Sequence, residues 1–182
     1  TKAMTAALVG ILADQGGAMT FDTTIASVFP VSEFTIHPSF ATVTVAQLLA
    51  HRGGTPNGAQ VTSAQWDLAS DPNRSVVQRR LAFALDVLAE PAFTVFPKDD
   101  RYSNAGYMVV GAMLERVYGE SWEELITDHL FAPLGMVDTG FGAPPPYGPI
   151  DQPWGHGAEV GNPALLPNQG DNTQAIGPAG TV

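Results

Sequence analysis

The sequence contains no cysteine and few basic side chains. Without cysteine, the 182-residue chain has no disulfide, no thiolate nucleophile and no sulfur ligand for a metal. Only 8 Lys and Arg residues stand against 18 Asp and Glu, which gives a net charge of −10. Nucleic acids and anionic membrane surfaces are bound by clustered basic side chains. We therefore expect neither of them as a partner.

A long apolar run is also missing. No uninterrupted stretch approaches the roughly 20 residues that a membrane-spanning helix needs, so we predict no membrane span. Charged residues make up 14% of the chain and apolar residues 45%, which is typical of a compact globular domain. The lack of cysteine fits a reducing or an oxidising compartment. The location stays open, with a periplasmic or secreted protein slightly favoured over a cytoplasmic one.

What the sequence does contain is mainly helical periodicity. Apolar residues recur at helical spacing in six segments, which are 1–15, 44–50, 63–69, 75–88, 103–118 and 121–131. The first of these segments has almost no polar face, so we expect its helix to be buried on most sides. Strand signals are weak, and 42–45 is the best candidate. The residues of this chain are therefore predicted to be mainly α-helical.

The composition changes after Phe141. Residues 142–180 contain eight Pro and eight Gly, which predicts irregular structure. Large apolar side chains such as Trp154 and Ile176 favour an ordered excursion over a disordered tail, because disordered segments have few such anchors. We predict one domain with two parts, a helical part at 1–141 and a Pro/Gly-rich excursion at 142–182.

Lys2 is the only charged residue between Thr1 and Leu12. Placing an ammonium group among apolar side chains favours its neutral form, which can act as a base near neutral pH. Residues three apart share a helix face, so a serine three positions before Lys2 would face the amine. That position lies upstream of this sequence. The alternative is a lysine at an exposed helix end whose amine reaches solvent.

Tyr102 and Asn104 form a second candidate pair. Two positions apart in a helix they would point in different directions, so they cooperate only if the backbone between them is extended. A loop-like segment, 97–101, precedes them, and Ser103 or Asn104 can cap the helix that follows. A tyrosine hydroxyl beside an ammonium group can shuttle a proton to and from a serine, and a carboxamide suits a substrate amide. The alternative is a packed tyrosine followed by a capping asparagine.

As a set, four stretches resemble the penicillin-recognising serine hydrolases, a family that includes class C-like β-lactamases, DD-peptidases and related esterases. Thr1-Lys2 looks like the end of the family's Ser-x-x-Lys motif, and Tyr102-Ser103-Asn104 looks like its Tyr-x-Asn motif. Residues 43–56 are similar to its stretch that ends in a Gly-x-Pro turn, and residues 131–139 to its Pro-Leu-Gly-Met segment. Order and approximate spacing agree across nearly the whole chain.

The resemblance implies an α/β fold. In this family an antiparallel sheet is flanked by helices, a helical subdomain is inserted, and the active site lies between the two. This chain would supply the central helix and most of the helical subdomain, with the sheet strands missing. We therefore expect mainly α structure in these residues.

The resemblance also implies a serine hydrolase that works through an acyl-enzyme on an ester, a D-amino-acid peptide or a β-lactam. An ester or peptide substrate is preferred. The serine three residues before Lys2 would attack, Lys2 and Tyr102 would relay its proton, and Asn104 would orient the acyl group. Asn57 and Gly58 would line the substrate cleft. No metal or other cofactor is expected, because no His, Asp and Glu residues have metal-ligand spacing.

Two parts of the family pattern are absent from the sequence. The serine is one, and the other is the third motif, a Lys or His followed by Thr or Ser and then Gly. His156 lies too close to Tyr102 to serve in that motif, and we assign it a structural role or a role at the rim of the site. His51 is expected to brace the Gly53-Gly54 turn.

A catalytically silent binding or scaffold module is the competing interpretation. The 182 residues by themselves are expected to be inactive, because the serine is not among them. They are also expected to need the missing segments of the same protein, or self-association, to cover their apolar surface.

Overall fold

The computed structural model describes residues 1–93, 102–142 and 172–180. These residues are mainly helical, as predicted. The helices are α1 (Lys2–Asp14), α2 (Ile25–Val28), α3 (Val45–Leu49), α4 (Ser63–Ser70), α5 (Val76–Ala89), α6 (Asn104–Tyr118), α7 (Trp122–Ile126) and α8 (Gly177–Gly180). Short 3-10 turns lie at Pro38–Phe40 and Gln174–Ile176, and a π-helical turn at Thr127–Phe131 extends α7.

The described ranges contain no β-strand. The predicted strand at 42–45 is wrong, because Thr44 forms only an isolated antiparallel bridge with Thr24 and α3 begins at Val45. The Thr44 side chain accepts a hydrogen bond from the Gln47 backbone N–H, and Gln47 returns one to the Thr44 backbone. This reciprocal cap satisfies two backbone N–H groups at the start of α3 and so stabilises a helix at this position.

The same reciprocal cap begins three other helices. Its first residue is Thr62, Ser75 or Ser121, and its second is Gln65, Gln78 or Glu124. Thr62 caps α4, because it stands three residues before Gln65.

Helix α6 is the centre of the molecule. Its residues 105–115 are all buried, which agrees with the apolar helix predicted at 103–118. α6 packs against α5, α3 and α8. Because α6 begins at the Tyr-x-Asn motif, the core rigidly supports that motif.

Helix α1 is buried on one face. Thr5, Leu8, Val9 and Leu12 are buried, whereas Ala3 and Ala7 are exposed. The expectation of burial on most sides is therefore wrong within the described residues. The elements that pack on α1 in the described residues include α6, α7, α8 and the turn 127–131, and they leave Ala3 and Ala7 exposed.

Residues 172–180 return to the helical part, and their Ala175, Ile176 and Ala179 are buried in its core. Residues 143–171, which form most of the predicted excursion, lie outside the described residues, so the division at 141 stays a prediction. Among the helices that the structure describes, none has the length and apolar character needed to span a membrane.

Candidate active site

The Lys2 ammonium group is held at the start of α1 by contacts from two distant segments. Its Nζ donates a 2.7 Å hydrogen bond to the Ala179 carbonyl oxygen. Nζ also lies 4.8 Å from the centroid of the Tyr102 ring and 5.5 Å from that of the Tyr107 ring. The fold thus brings together Lys2 and Tyr102, the two predicted catalytic residues.

Tyr102 and Asn104 are separated by an extended residue. Ser103 has φ −137° and ψ 116°, and it is the N-cap of α6. Tyr102 therefore precedes the helix and is 54% exposed, while Asn104 is the first helical residue. Asn104 Oδ1 is buried and has no hydrogen-bond partner within the described part of the chain. Of the two residues that the sequence offered as the cap, Ser103 is the one that is used.

Ser103 connects the motif to the 51–57 turn. Its Oγ accepts from Thr55 Oγ1 (2.9 Å) and from the Gly106 backbone N–H (3.2 Å), and it donates to the Pro56 carbonyl oxygen (2.6 Å). Ser103 is 2% exposed. Sequence reasoning identified the capping role but missed the partnership with Thr55, because no local spacing relates these two residues.

His51 lies directly beside Tyr102. It follows α3 with a left-handed φ of 57°, and its ring centroid lies 4.7 Å from that of Tyr102 and 5.4 Å from that of Tyr107. Nδ1 accepts a 3.1 Å hydrogen bond from the Ser103 backbone N–H. His51 was expected to brace the adjacent glycine turn, but it makes these contacts with the start of α6 instead.

The electrostatic environment keeps the His51 ring neutral. Burial and, secondarily, the positive charge of Lys2 lower the pKa of His51 from its ordinary value of 6.5. In the neutral ring the Nδ1 lone pair accepts from Ser103, so the proton resides on Nε2. A neutral imidazole can stand next to the Lys2 ammonium group without charge repulsion.

The glycine turn is shaped by close backbone approach. Gly54 has φ +75°, and a Cβ there would lie 2.8 Å from Ala92 Cβ. The Phe93 backbone N–H donates a 2.9 Å hydrogen bond to the Gly54 carbonyl oxygen. Only glycine combines this φ with this spacing. The turn therefore holds residues 92–93 as well as Ser103.

The structure places Asn57 and Gly58 differently with respect to solvent. Asn57 is buried, and its Oδ1 accepts hydrogen bonds from the backbone N–H groups of Ala59 (3.0 Å) and Gln60 (3.1 Å). Gly58 is exposed, and a Cβ there would meet no atom within 4 Å. Asn57 is thus engaged in a local turn, and a role for either residue in substrate binding stays a prediction.

A groove of about 670 Å³ lies beside this turn. Its lining includes Phe40, Pro56, Val87 and Phe93, with Asp86 and Glu90 also contributing. Pro56 belongs to the groove and also accepts the hydrogen bond from Ser103 Oγ. Pro56 thus contacts both the groove and the Tyr-x-Asn motif.

Several predicted features fall outside the described residues, namely the loop at 97–101 and His156. Among the residues that are described, no group of three or more His, Asp or Glu side chains is placed to hold a metal ion.

Lys2 at the start of α1 thus lies beside the Tyr-x-Asn motif at the start of the buried helix α6, the arrangement that the resemblance to the penicillin-recognising serine hydrolases implied. The family model for beta-lactamases matches residues 1–182, and the chain belongs to that family.

Individual relatives agree with this assignment. The chain is 30% identical over 136 residues to Penicillin-binding protein 4 of Amycolatopsis lactamdurans, which covers 74% of this chain and 32% of that protein. Its fold resembles the octameric penicillin-binding protein homologue from Pyrococcus abyssi, with a TM-score of 0.52, 29% identity, and coverage of 78% of this chain and 30% of that chain.

D-amino acid amidase from Ochrobactrum anthropi SV3 shares the fold, with a TM-score of 0.52 at 24% identity over 75% of this chain and 36% of that chain. The chain thus spans about a third of the length of these three proteins. The fold match confirms that these helices are part of the beta-lactamase fold.

Proposed function

We propose that this chain supplies the lysine, tyrosine and asparagine of a serine hydrolase that works through an acyl-enzyme. The observation that carries the proposal is the 4.8 Å approach of Lys2 Nζ to the ring of Tyr102, with Asn104 two residues further on. The nucleophile in this proposal is a serine three residues before Lys2. One helical turn separates those two positions, so the serine hydroxyl would face the lysine amine.

The proposed reaction has two halves. The serine oxygen attacks the ester or amide carbonyl, and its proton passes to the unprotonated amine of Lys2 or to the phenolate oxygen of Tyr102. The leaving group takes that proton as the carbonyl reforms, which leaves an acyl-serine. Water then attacks the acyl carbon and gives a proton to the same group, which passes it to the serine oxygen as the acid is released. Tyr102 suits this exchange with water because 54% of its surface is exposed.

Asn104 is proposed to orient the acyl group. Its buried Oδ1 lacks a hydrogen bond within the described residues, and leaving such an acceptor unpaired costs about 1–3 kcal/mol. An amide N–H of the substrate would satisfy it. An unused acceptor at the start of a rigid helix is therefore consistent with a binding role.

The proposed substrate class is based on the relatives. A penicillin-binding protein and a D-amino acid amidase are among the proteins that this chain resembles, so amides and peptides of D-amino acids are proposed alongside simple esters and β-lactams. Asn57 and Gly58 are proposed to lie at the edge of the substrate cleft, because their turn is fixed to Ser103 through Pro56.

Intact-mass measurement on a longer form of the protein, one that includes the residue three positions before Lys2, tests this proposal. Incubation with a penicillin, a D-amino acid amide and a p-nitrophenyl ester should add an acyl mass to that serine with at least one compound. Tyr102→Phe should slow its formation and its loss. A folded protein that forms no adduct with any of the three would contradict the proposal and support the silent binding module instead.

A further inference from the structure

Arg80 is a fully buried guanidinium group on α5, with 0% exposure. Its cationic side chain forms ion pairs with Glu115 on α6 and with Glu123 on α7, the latter through a 2.6 Å contact between NH2 and Oε1. Burying such a charge costs several kcal/mol unless it is paired and its remaining donors are used. The two carboxylates supply the pairing.

The remaining donors of Arg80 bind the backbone of residues 172–180. Nε donates to the Ala175 carbonyl oxygen at 3.0 Å, and NH2 donates to the Gln174 carbonyl oxygen at 3.3 Å. A planar guanidinium presents these donors in a fixed fork, which a lysine ammonium group cannot reproduce. Arg80 thus fixes the segment 172–180, which is distant from it in sequence, to the helical core.

The same segment then contacts α1. Thr5 Oγ1 donates to the Pro178 carbonyl oxygen at 2.7 Å, and Lys2 Nζ donates to the Ala179 carbonyl oxygen at 2.7 Å. A side chain at Gly111 would overlap Pro178 and come within 2.9 Å of Arg80 Cδ, so the segment is seated closely on α6. Its position determines where the Ala179 oxygen meets the Lys2 ammonium group.

We propose that Arg80 is a positioning residue for Lys2, acting through residues 174–179. By holding the Gln174 and Ala175 carbonyls, it places the Ala179 oxygen and so aims the lysine amine towards the Tyr102 side of the site. The catalytic consequence of this arrangement rests on the proposed acyl-transfer function. The geometric consequence does not, and it is measurable separately.

The geometric test follows the NMR signal of Lys2. In a folded form of the protein that contains this chain, lysine labelled with 13C at Cε gives one signal per lysine, and the signal that disappears in Lys2→Arg is that of Lys2. Arg80→Lys keeps a positive charge beside Glu115 and Glu123 but loses the fork to the carbonyls. It should shift the Lys2 signal while the cooperative melt is retained.

Arg79→Lys is the matched control. Arg79 is the neighbouring residue, and its Nε donates to the carbonyl oxygens of Asp71 (2.6 Å) and Arg74 (3.0 Å), which lie outside residues 172–180. This change should leave the Lys2 signal in place. If Arg80→Lys does not fold, Glu123→Gln takes its place, because Glu123 is partly exposed and the change loosens Arg80 without removing it.

Turnover supplies the second readout. In the longer form of the protein, Arg80→Lys should lower kcat by about 10- to 100-fold with little change in KM, the scale of a misplaced catalytic group. A Lys2 signal unmoved in a folded Arg80→Lys or Glu123→Gln protein would overturn the proposal. A shifted signal in a protein whose unmodified form has no hydrolase activity would uphold the positioning role and reject the proposed function.

Discussion

The Lys2 ammonium nitrogen lies 4.8 Å from the centre of the Tyr102 ring, although the two residues are far apart in the sequence. A cation over an aromatic face is stabilised by about 0.5–2 kcal/mol, more when it is shielded from water. The same nitrogen donates to Ala179. Lys2 is therefore directed by two segments that α6 holds in place.

Replacing Tyr102 by Phe should separate catalysis from packing. The ring and its contacts with Lys2 and His51 remain, whereas the hydroxyl is lost. In a longer, active form of the protein, turnover of an activated ester should fall by roughly 10²-fold or more, the scale of general acid–base catalysis. Steady-state kinetics with a thermal melt measures both properties.

Tyr107→Phe is the control for that change. The Tyr107 hydroxyl donates a 2.9 Å hydrogen bond to the Leu49 carbonyl oxygen, so its loss should cost about 0.5–1.5 kcal/mol of stability and leave turnover nearly unchanged. Equal turnover of the Tyr102→Phe and unmodified proteins would assign Tyr102 a packing role only.

Stability should decrease below about pH 6.5 because of His51. Its pKa in the folded protein is lower than the value of 6.5 in the unfolded chain, so the unfolded state binds more protons between these two values. The contribution of neutral His51 is complete above about pH 6.5 and is lost as the pH falls through the folded-state pKa. Urea unfolding at a series of pH values measures this loss.

His51→Asn is the matched variant, because asparagine tolerates the left-handed φ of 57° and does not titrate. The difference in unfolding free energy between the unmodified protein and this variant should shrink as the pH is lowered from 7.5 to 5.5. A difference that is constant across this range would show that His51 does not titrate differently in the two states.

Ser103→Ala should be more destabilising than the loss of an ordinary helix cap. It removes the cap of α6 and leaves the Pro56 carbonyl and the Thr55 hydroxyl without their buried partner. We expect a loss of about 2–4 kcal/mol, against about 0.5–2 kcal/mol for Ser75→Ala, whose cap is exposed. Chemical denaturation compares the two, and equal losses would mean that Ser103 is only a cap.

Gly54→Ala should destabilise the turn more than Gly16→Ala. Both glycines have nearly the same left-handed φ, +75° and +77°, so both changes introduce similar backbone strain of about 1–2 kcal/mol. A Cβ at Gly16 meets no atom within 4 Å, whereas one at Gly54 meets Ala92. The clash should destabilise Gly54→Ala by about 1–3 kcal/mol more than Gly16→Ala. The free energies of unfolding of the two variants measure this difference.

The 182 residues expressed alone should self-associate or aggregate. Ala3 and Ala7 are exposed on an otherwise apolar helix, and α1 packs on one side only in the described structure. A contiguous apolar face is unfavourable in water and promotes association. Analytical ultracentrifugation tests this, and a stable monomer with a cooperative melt would show that these residues form an autonomous domain.

Local patterns were sufficient to predict most of the helices. The apolar spacing of α5 and α6 and the serine before each of them define those helices, because helical periodicity and capping depend on neighbours within four residues. The loop-like residues before Tyr102 also indicated correctly that the backbone between Tyr102 and Asn104 is extended rather than helical. The strand proposed at 42–45 was wrong because a reciprocal cap at Thr44 outweighed the β-branched composition there.

The convergence of Lys2, Tyr102 and Ala179, by contrast, was decided by the tertiary structure. The apolar neighbours of Lys2 in the sequence led to the prediction of a base, and the family resemblance paired it with Tyr102, but nothing local indicates that the Ala179 carbonyl would bind its amine. Arg80 on α5 binds the Ala175 carbonyl oxygen of the 172–180 segment, and the same segment supplies the Ala179 oxygen that Lys2 binds. Likewise, His51 and Thr55 meet Ser103 only when α3 packs on α6. Sequence neighbours determine where each helix begins and ends, whereas contacts between distant segments depend on how the buried faces pack together.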